Sequence, residues 1–165
     1  MTNGAPSDPS FDPKYVSLLW ASPDQAGRVA ALHAQLFSPA WSEESICALL
    51  DHPASTAFLA VLPGQPPTTV GFILAQLAAD EAEILSIGVA PDWQRKGIGQ
   101  RLVEGVARAV RRADGKTLHL EVAADNDAAM ELYRKAGFLG TGLRRGYYER
   151  AGAEPVDAVT LTLRL

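Results

Sequence analysis

The chain has 165 residues, 47% of them hydrophobic and 21% charged, which suits one soluble domain with a substantial core. Its net charge of −4 argues against nucleic acid as the main partner, because a phosphate-tracking surface needs an excess of Lys and Arg. A lone cysteine, Cys47, excludes an intramolecular disulfide framework and the Cys-rich zinc patterns, and no apolar run is long enough to cross a bilayer.

The opening "MTNGAPSDPSFDP" has neither a basic start nor an apolar stretch, so no secretory signal is expected and a cytoplasmic location is. Its Pro, Gly, Ser and Asp content predicts a loose arm over residues 1–13, with one domain over 14–165. "KYVSLLW" reads as a short strand. In "ASPDQAGRVAALHAQLF", Ser22 caps, Pro23 takes the first helical position, and Val29, Leu32, Leu36 and Phe37 mark an apolar face. A second helix is expected in "SPAWSEESICALLDHP", with Ser42 and Ser45 at its start and Pro53 at its end; Trp41 reads as a packing anchor and Cys47 as a small apolar filler. "STAFLAVLP" and "VGFILAQLA" form a hairpin around "GQPPTT", and "EAEILSIGV" is the next strand.

From Gly97 to about Arg112 the apolar residues Ile98, Leu102, Val106 and Val110 recur at helical spacing, and Asp114–Gly115 ends the run. "KTLHLEVAA" alternates Leu118, Leu120 and Val122 with His119 and Glu121, a half-buried strand with a polar face. "DNDAAMELYRKAG" is a helix stopped at Gly137. "FLGTGLRRGYY" and "VDAVTLTLRL" close the sheet as a hairpin with a long connection. The order predicts an α/β fold whose N-terminal half is antiparallel. His33, His52 and His119 show no metal-ligand spacing, so no metal is expected; His33 and His52 read as surface or helix-end residues.

The richest stretch is "SIGVAPDWQRKGIGQRLV". A helix start leaves N–H groups without intrahelical partners and carries about half a positive charge. Gly97 and Gly99 let a ligand approach the backbone, and Arg95 and Lys96 add charge. Phosphate or pyrophosphate suits such a place; an ordinary basic helix entry has the same composition. Neither the Walker pattern nor the dinucleotide fingerprint is present.

Gln94-x-x-Gly97-x-Gly99, directly after an apolar strand and a Pro-Asp turn, resembles the acetyl-CoA loop of the GNAT N-acetyltransferases. "LEVAADNDAAMELYRKAGF" is similar to the second half of that family, where a strand leads through an Asn to a helix carrying a Tyr and then a Gly-Phe. "PAWSEES" and "RRGYY" resemble the RimI subgroup, bacterial alanine N-acetyltransferases that modify a ribosomal protein. The likeness runs from about residue 16 to 165 and is densest over 86–148.

The resemblance implies a mixed central sheet flanked by helices, with a splayed centre, and acetyl-CoA as co-substrate. It implies that the backbone of Ile87, Gly88 and Val89 pairs with the pantetheine arm and that an N–H there, that of Val89, polarises the thioester carbonyl. Gln94, Arg95, Lys96, Gly97, Ile98 and Gly99 would hold the pyrophosphate, and Asn126 would bond the coenzyme arm while capping its helix. Glu121 aligns with the catalytic glutamate, with Glu83 on the preceding strand as its rival and His119 as a neighbour able to tune it. Tyr133 matches the general acid; a tyrosine packed in the core has the same spacing. Tyr147 and Tyr148 resemble residues lining a peptide groove. One departure stands out: where the subgroup carries an arginine after Glu-Val, this chain has Ala123, with Asp125 two residues on.

The expected activity is transfer of acetyl to the N-terminal α-amine of a protein, a ribosomal protein with N-terminal Ala, without an acyl-enzyme and without a nucleic-acid or membrane partner. A GNAT acting on lysine side chains or small amines, and a catalytically silent coenzyme A-binding module, are the alternatives.

Overall fold

The computed structural model describes residues 12–165. The expected arm over 1–13 lies outside them, apart from Asp12 and Pro13, which open a 3-10 turn over Pro13–Tyr15. Local chemistry sets where the helices begin. Ser42 Oγ accepts from the Ser45 N–H at 3.1 Å at the start of α2 (Glu43–Asp51), and Asn126 Oδ1 accepts from the Ala129 N–H at 3.2 Å at the start of α4 (Asp127–Lys135). Pro23 opens a 3-10 turn, Pro23–Gln25, and α1 (Ala26–Leu36) follows it. The Ser22 N–H donates to Gln25 Oε1 at 3.0 Å and closes that turn.

Seven strands form one sheet in the order β1-β2-β3-β4-β5-β7-β6. They are β1 (Ser17–Trp20), β2 (Ser55–Leu62), β3 (Thr68–Ala78), β4 (Glu81–Val89), β5 (Thr117–Ala123), β6 (Leu139–Arg150) and β7 (Ala153–Arg164). All neighbours pair antiparallel except β4 and β5. The near-continuous apolar run of β2 is explained by burial on both faces. Ala57, Leu59 and Val61 join Phe72 and Leu74 against α1 and α2. Ala60, Leu62 and Ile73 pack with Leu102, Val106 and Val110 of α3 (Ile98–Arg112). Burying each such side chain stabilises by roughly 1.5–3 kcal/mol, so packing of this face, more than intrinsic propensity, holds α3.

The parallel seam is short. Glu81, Ala82 and Glu83 pair with Thr117, Leu118 and His119, and there the ladder ends. Immediately beyond, the β3–β4 register steps from Ala75↔Ile84 to Leu74↔Ser86, leaving Leu85 as an extra residue. Such a bulge bends its strand and increases its twist, and β4 turns away from β5.

The C-terminal hairpin differs from expectation. Its connection is short, with Arg150 paired to Ala153, because β6 runs on through Tyr148 to Arg150 instead of ending in a loop. Three breaks in register accommodate the extra length.

The opening in the sheet also constrains Gly88. A Cβ there would lie 2.6 Å from Leu36 Cδ1 and 2.8 Å from Phe72 Cε1, and the Phe72 ring is fully buried. Gly88→Ala is therefore expected to lower stability by about 1–3 kcal/mol through overpacking, read as a lower urea midpoint with an unchanged slope.

Candidate active site

Two cavities, each of about 500 Å3, open on either side of the gap between β4 and β5. They share Phe37, Ile87, Asn126, Ala129 and Tyr133, so the two chambers meet. Asn126, Ala129 and Tyr133 lie at helical spacing along α4, which presents one face to the junction.

The first chamber is floored by the glycine loop. Gln94, Arg95, Gly97, Ile98 and Gly99 line it, as do Ile87, Gly88 and Val89. Arg95 (φ +64°) and Gly97 (φ +82°) both take left-handed backbone, the kind of turn that gathers successive N–H groups into a concave, anion-binding surface. Glycine is the residue that adopts this at Gly97 without strain. Within α3 the first intrahelical acceptor is Gly97 O, bonded by the Arg101 N–H at 3.1 Å; the N–H groups before it lie at the positive end of the helix. A Cβ at Gly99 would sit 3.3 Å from Leu132 Cδ2 and narrow the chamber. Gln94 Nε2 donates to Val89 O at 3.0 Å, tying the loop to the end of β4. Lys96 lies outside the chamber, its ammonium 5.2 Å from the centre of the Trp93 ring. Glu131, unmarked in the sequence reading, lines this chamber and lies 3.1 Å from Lys135 and 4.0 Å from Arg95. Lys135 first, and then Arg95, hold its carboxyl below the usual range.

The backbone of β4 faces the gap. The Ala90 N–H bonds Val70 O at 2.8 Å, so alternation along an antiparallel pair turns the N–H and C=O groups of Ile87 and Val89 away from β3. Past Glu83, β5 supplies no partner to them.

The second chamber is lined by Glu121, Tyr133, Tyr148 and Arg150, by Ser86 and Ile87, and by Phe37, Ser38, Pro39 and Trp41 of the α1–α2 connection. Glu121 lies on β5 among Leu120 and Val122, which are buried, and Arg144 Nε approaches its Oε1 at 2.9 Å. Arg144 is 59% exposed, and such a pair contributes at most about 1 kcal/mol, so it orients the carboxylate without locking it. Burial, and then the Glu121 charge, raise the Tyr148 phenol above its ordinary value. Tyr147 is half exposed and lies beside Arg144, outside the chamber. Arg150 bridges to Asp125 at 3.0 Å. Glu83 and His119 pair with each other at the closed end of the gap, and neither is among the described residues lining the two chambers.

Tyr133 is 4% exposed and meets Phe138 edge-on at 5.4 Å between ring centres. Burial pushes its phenol well above the ordinary range, so it remains an O–H donor throughout neutral and mildly alkaline pH.

His33 lies in the last turn of α1, as a helix-end residue would, but it is 2% exposed and faces inward rather than lying at the surface, because Val29, Leu32 and His33 share the side that packs on the sheet. His52 does end its helix, as α2's exposed C-cap. Cys47 packs beside the α1/α2 core, as expected of a filler.

Residues 20–138 match the Acetyltransferase (GNAT) family. The chain belongs to that family. It is 39% identical over 142 residues to the N-alpha-acetyltransferase RimI of Mycobacterium tuberculosis, covering 82% of this chain and 84% of that protein. It is also 38% identical over 92 residues to the ribosomal protein bS18-alanine N-acetyltransferase of Escherichia coli, an alignment spanning 62% of that enzyme and 56% of this chain. The crystal structure of the Escherichia coli ribosomal-protein-S18-alanine N-acetyltransferase superposes with a TM-score of 0.82 at 27% identity, covering 90% of this acetyltransferase and 93% of the other chain. Arabidopsis thaliana NAA60 in complex with acetyl-CoA shares the fold, with a TM-score of 0.79 at 18% identity over 91% of this chain and 98% of that one.

The burial of Tyr133 is directly measurable. The chain has four tyrosines; in an alkaline titration followed by tyrosinate absorbance, Tyr133 is expected to ionise last, only as the fold is lost. Tyr133→Phe should remove that late step and leave the earlier ones in place.

Proposed function

We propose that the protein transfers acetyl from acetyl-CoA to the N-terminal α-amine of a protein, a ribosomal protein with N-terminal Ala, by direct attack within a ternary complex. The observation that carries this reading is the meeting of two chambers at the gap in the sheet, one with an anion-binding loop and the other with a carboxylate. The relatives named for ribosomal-protein alanine acetylation support the choice of acceptor. The reading treats residues 14–165 as one catalytic domain working in the cytoplasm; no helix among the described residues is long and apolar enough to cross a membrane.

The fit of the co-substrate rests on this chain's own groups. Gly97, Ile98 and Gly99 offer N–H groups to the pyrophosphate, with Gln94 bracing the loop and Arg95 and Lys96 adding charge. The outward N–H and C=O groups of Ile87 and the N–H of Val89, whose carbonyl takes Gln94, suit an extended amide-bearing arm, which continues the ladder that β5 abandons. Asn126, whose Oδ1 caps α4, has its amide nitrogen to offer the same arm. Acetyl-CoA supplies an activated acetyl thioester.

In the second chamber Glu121 takes the proton of the incoming amine, directly or through a water. A free α-amine has a pKa of about 7.7–8.0, against about 10.4 for lysine, so a carboxylate suffices for the first where the second needs stronger help. The Val89 N–H stabilises the negative charge that develops on the carbonyl oxygen, a role worth about 3 kcal/mol. Tyr133, at the junction, gives its proton to the departing thiolate. Tyr148 flanks the peptide inside the chamber, and Tyr147, outside it, meets the part of the peptide that extends beyond. Cys47 packs with the α1/α2 core, away from both chambers, and no acyl-enzyme is invoked.

Glu121→Gln and Tyr133→Phe are each expected to lower kcat by about 10²–10⁴, the usual contribution of a positioned acid or base, with the KM for acetyl-CoA little changed. Unaltered turnover in both variants would refute the assigned roles.

Thiol release should be compared for a peptide with a free N-terminal Ala, a lysine peptide with a blocked N-terminus, and a polyamine mixture. Turnover on the first alone is expected. Turnover on either of the others overturns the N-terminal assignment, and silence on all three with acetyl-CoA still bound points to a binding module.

A further inference from the structure

The second chamber has a wall that no catalytic group explains. Phe37, Ser38, Pro39 and Trp41 lie between α1 and α2 and face β4 and β5 across the cavity. One side chain, His33 at the edge of the same cavity, holds that segment. His33 Nδ1 accepts the Trp41 backbone N–H at 3.2 Å, and its ring stacks on the Trp41 indole at 5.0 Å and 24°. Phe37 and Phe72 close around the same imidazole at 4.6 and 5.9 Å. The residue as a whole is 2% exposed. A phenylalanine would fill this space at lower desolvation cost, so the polar ring is explained by its bond to the segment.

We propose that His33 is a positioning residue for the acceptor: its neutral imidazole pins the 37–42 segment as the outer wall of the acceptor chamber and so sets how tightly the amine substrate is held. The proposal rests on the reading that this chamber receives the acceptor. Accepting the Trp41 N–H requires an unprotonated Nδ1 and places the ring hydrogen on Nε2. A second proton would set two donors face to face and bury an uncompensated cation.

Among the described residues, no ion pair is made to the ring, and burial alone shifts it. Phe72's strand, β3, carries no charged residue, and α1 carries only Arg28. Glu43 and Glu44 begin α2 just beyond the segment. Glu121 of β5, Tyr133 of α4, and Tyr148 and Arg150 of β6 line the same cavity. Burial is what lowers the His33 value, and the sign follows. Below about pH 6.5, the ordinary value, a proton favours states in which the ring is solvated over the pinned one. The wall is therefore fully held above that pH and loosens as pH falls toward the lowered value of the buried ring.

The test uses His33→Phe, which keeps the stack but loses the acceptor, and His33→Gln, which keeps an acceptor oxygen without titrating. Steady-state kinetics are run with whichever amine the wild type acetylates. His33→Phe should raise the acceptor KM by about two- to ten-fold, the range one such hydrogen bond supports, with the KM for acetyl-CoA unchanged. His33→Gln should recover most of that loss.

Independently of any acceptor, the tryptophan fluorescence of the wild type should change as pH is lowered from 7.5 to the onset of acid unfolding, Trp41 losing its stacked partner as the ring protonates, and both variants should lack the change. An acceptor KM that stays at the wild-type value in a folded His33→Phe overturns the proposal, as does a wild-type fluorescence that is flat over this range. If no amine is acetylated, the function reading fails, and the fluorescence arm alone still decides whether His33 pins the wall.

Discussion

The site depends on a broken pairing. A parallel ladder between β4 and β5 begins at Glu81↔Thr117 and ends at Glu83↔His119, and the extra residue Leu85 bends β4 away. Backbone groups inside a sheet need partners, and here the N–H and C=O of Ile87 and the N–H of Val89 face the gap without one from β5, while Val89 O takes Gln94. Everything else in the site is arranged around that opening: the glycine loop lies at the far end of β4, Glu121 on the strand that parts from it, and α4 across the gap with Asn126 and Tyr133 at the junction. Were β4 straight, the two strands would zip together and the chambers would not exist.

The two halves of the sheet divide the work. The antiparallel β1–β4 half, clamped by α1 and α2 on one face and α3 on the other, carries the loop and the outward backbone of Ile87 and Val89. The β5–β7–β6 half carries Glu121, its partner Arg144, and Tyr148. Direct transfer needs the two reactants side by side, and in the proposed reading each bank of the gap receives one of them.

Much of this was legible from residue order alone. Periodicity located the helix after Gly97 and the strand bearing Glu121, and the loop's glycines and charges marked one chamber. What escaped was what depends on register and on which elements face each other. Nothing local in "LRRGYY" tells which arginine meets Glu121; the pairing of β6 with β7 and of β7 with β5 decides it. The same holds for Tyr147 and Tyr148, adjacent in sequence though only Tyr148 lines the chamber, and for Lys96, which rests on Trp93 while its neighbour Arg95 lines the first chamber. The burial of His33 at the end of α1 has no local mark, because its partner is the Trp41 backbone eight residues on. The close hairpin at Arg150 has no signature in the sequence, because bulges lengthen β6 without leaving a periodic mark.

Those bulges have a consequence for solubility. β6 is a sheet-edge strand of 12 residues with exposed Leu139, Leu143 and Tyr147, the kind of border on which another chain's strand could dock and fibrils could start. Three interruptions of register and the charges of Arg144, Arg145, Glu149 and Arg150 make it a poor template for such growth. The irregularity that turns Tyr148 toward the chamber also keeps the sheet from extending into a neighbour.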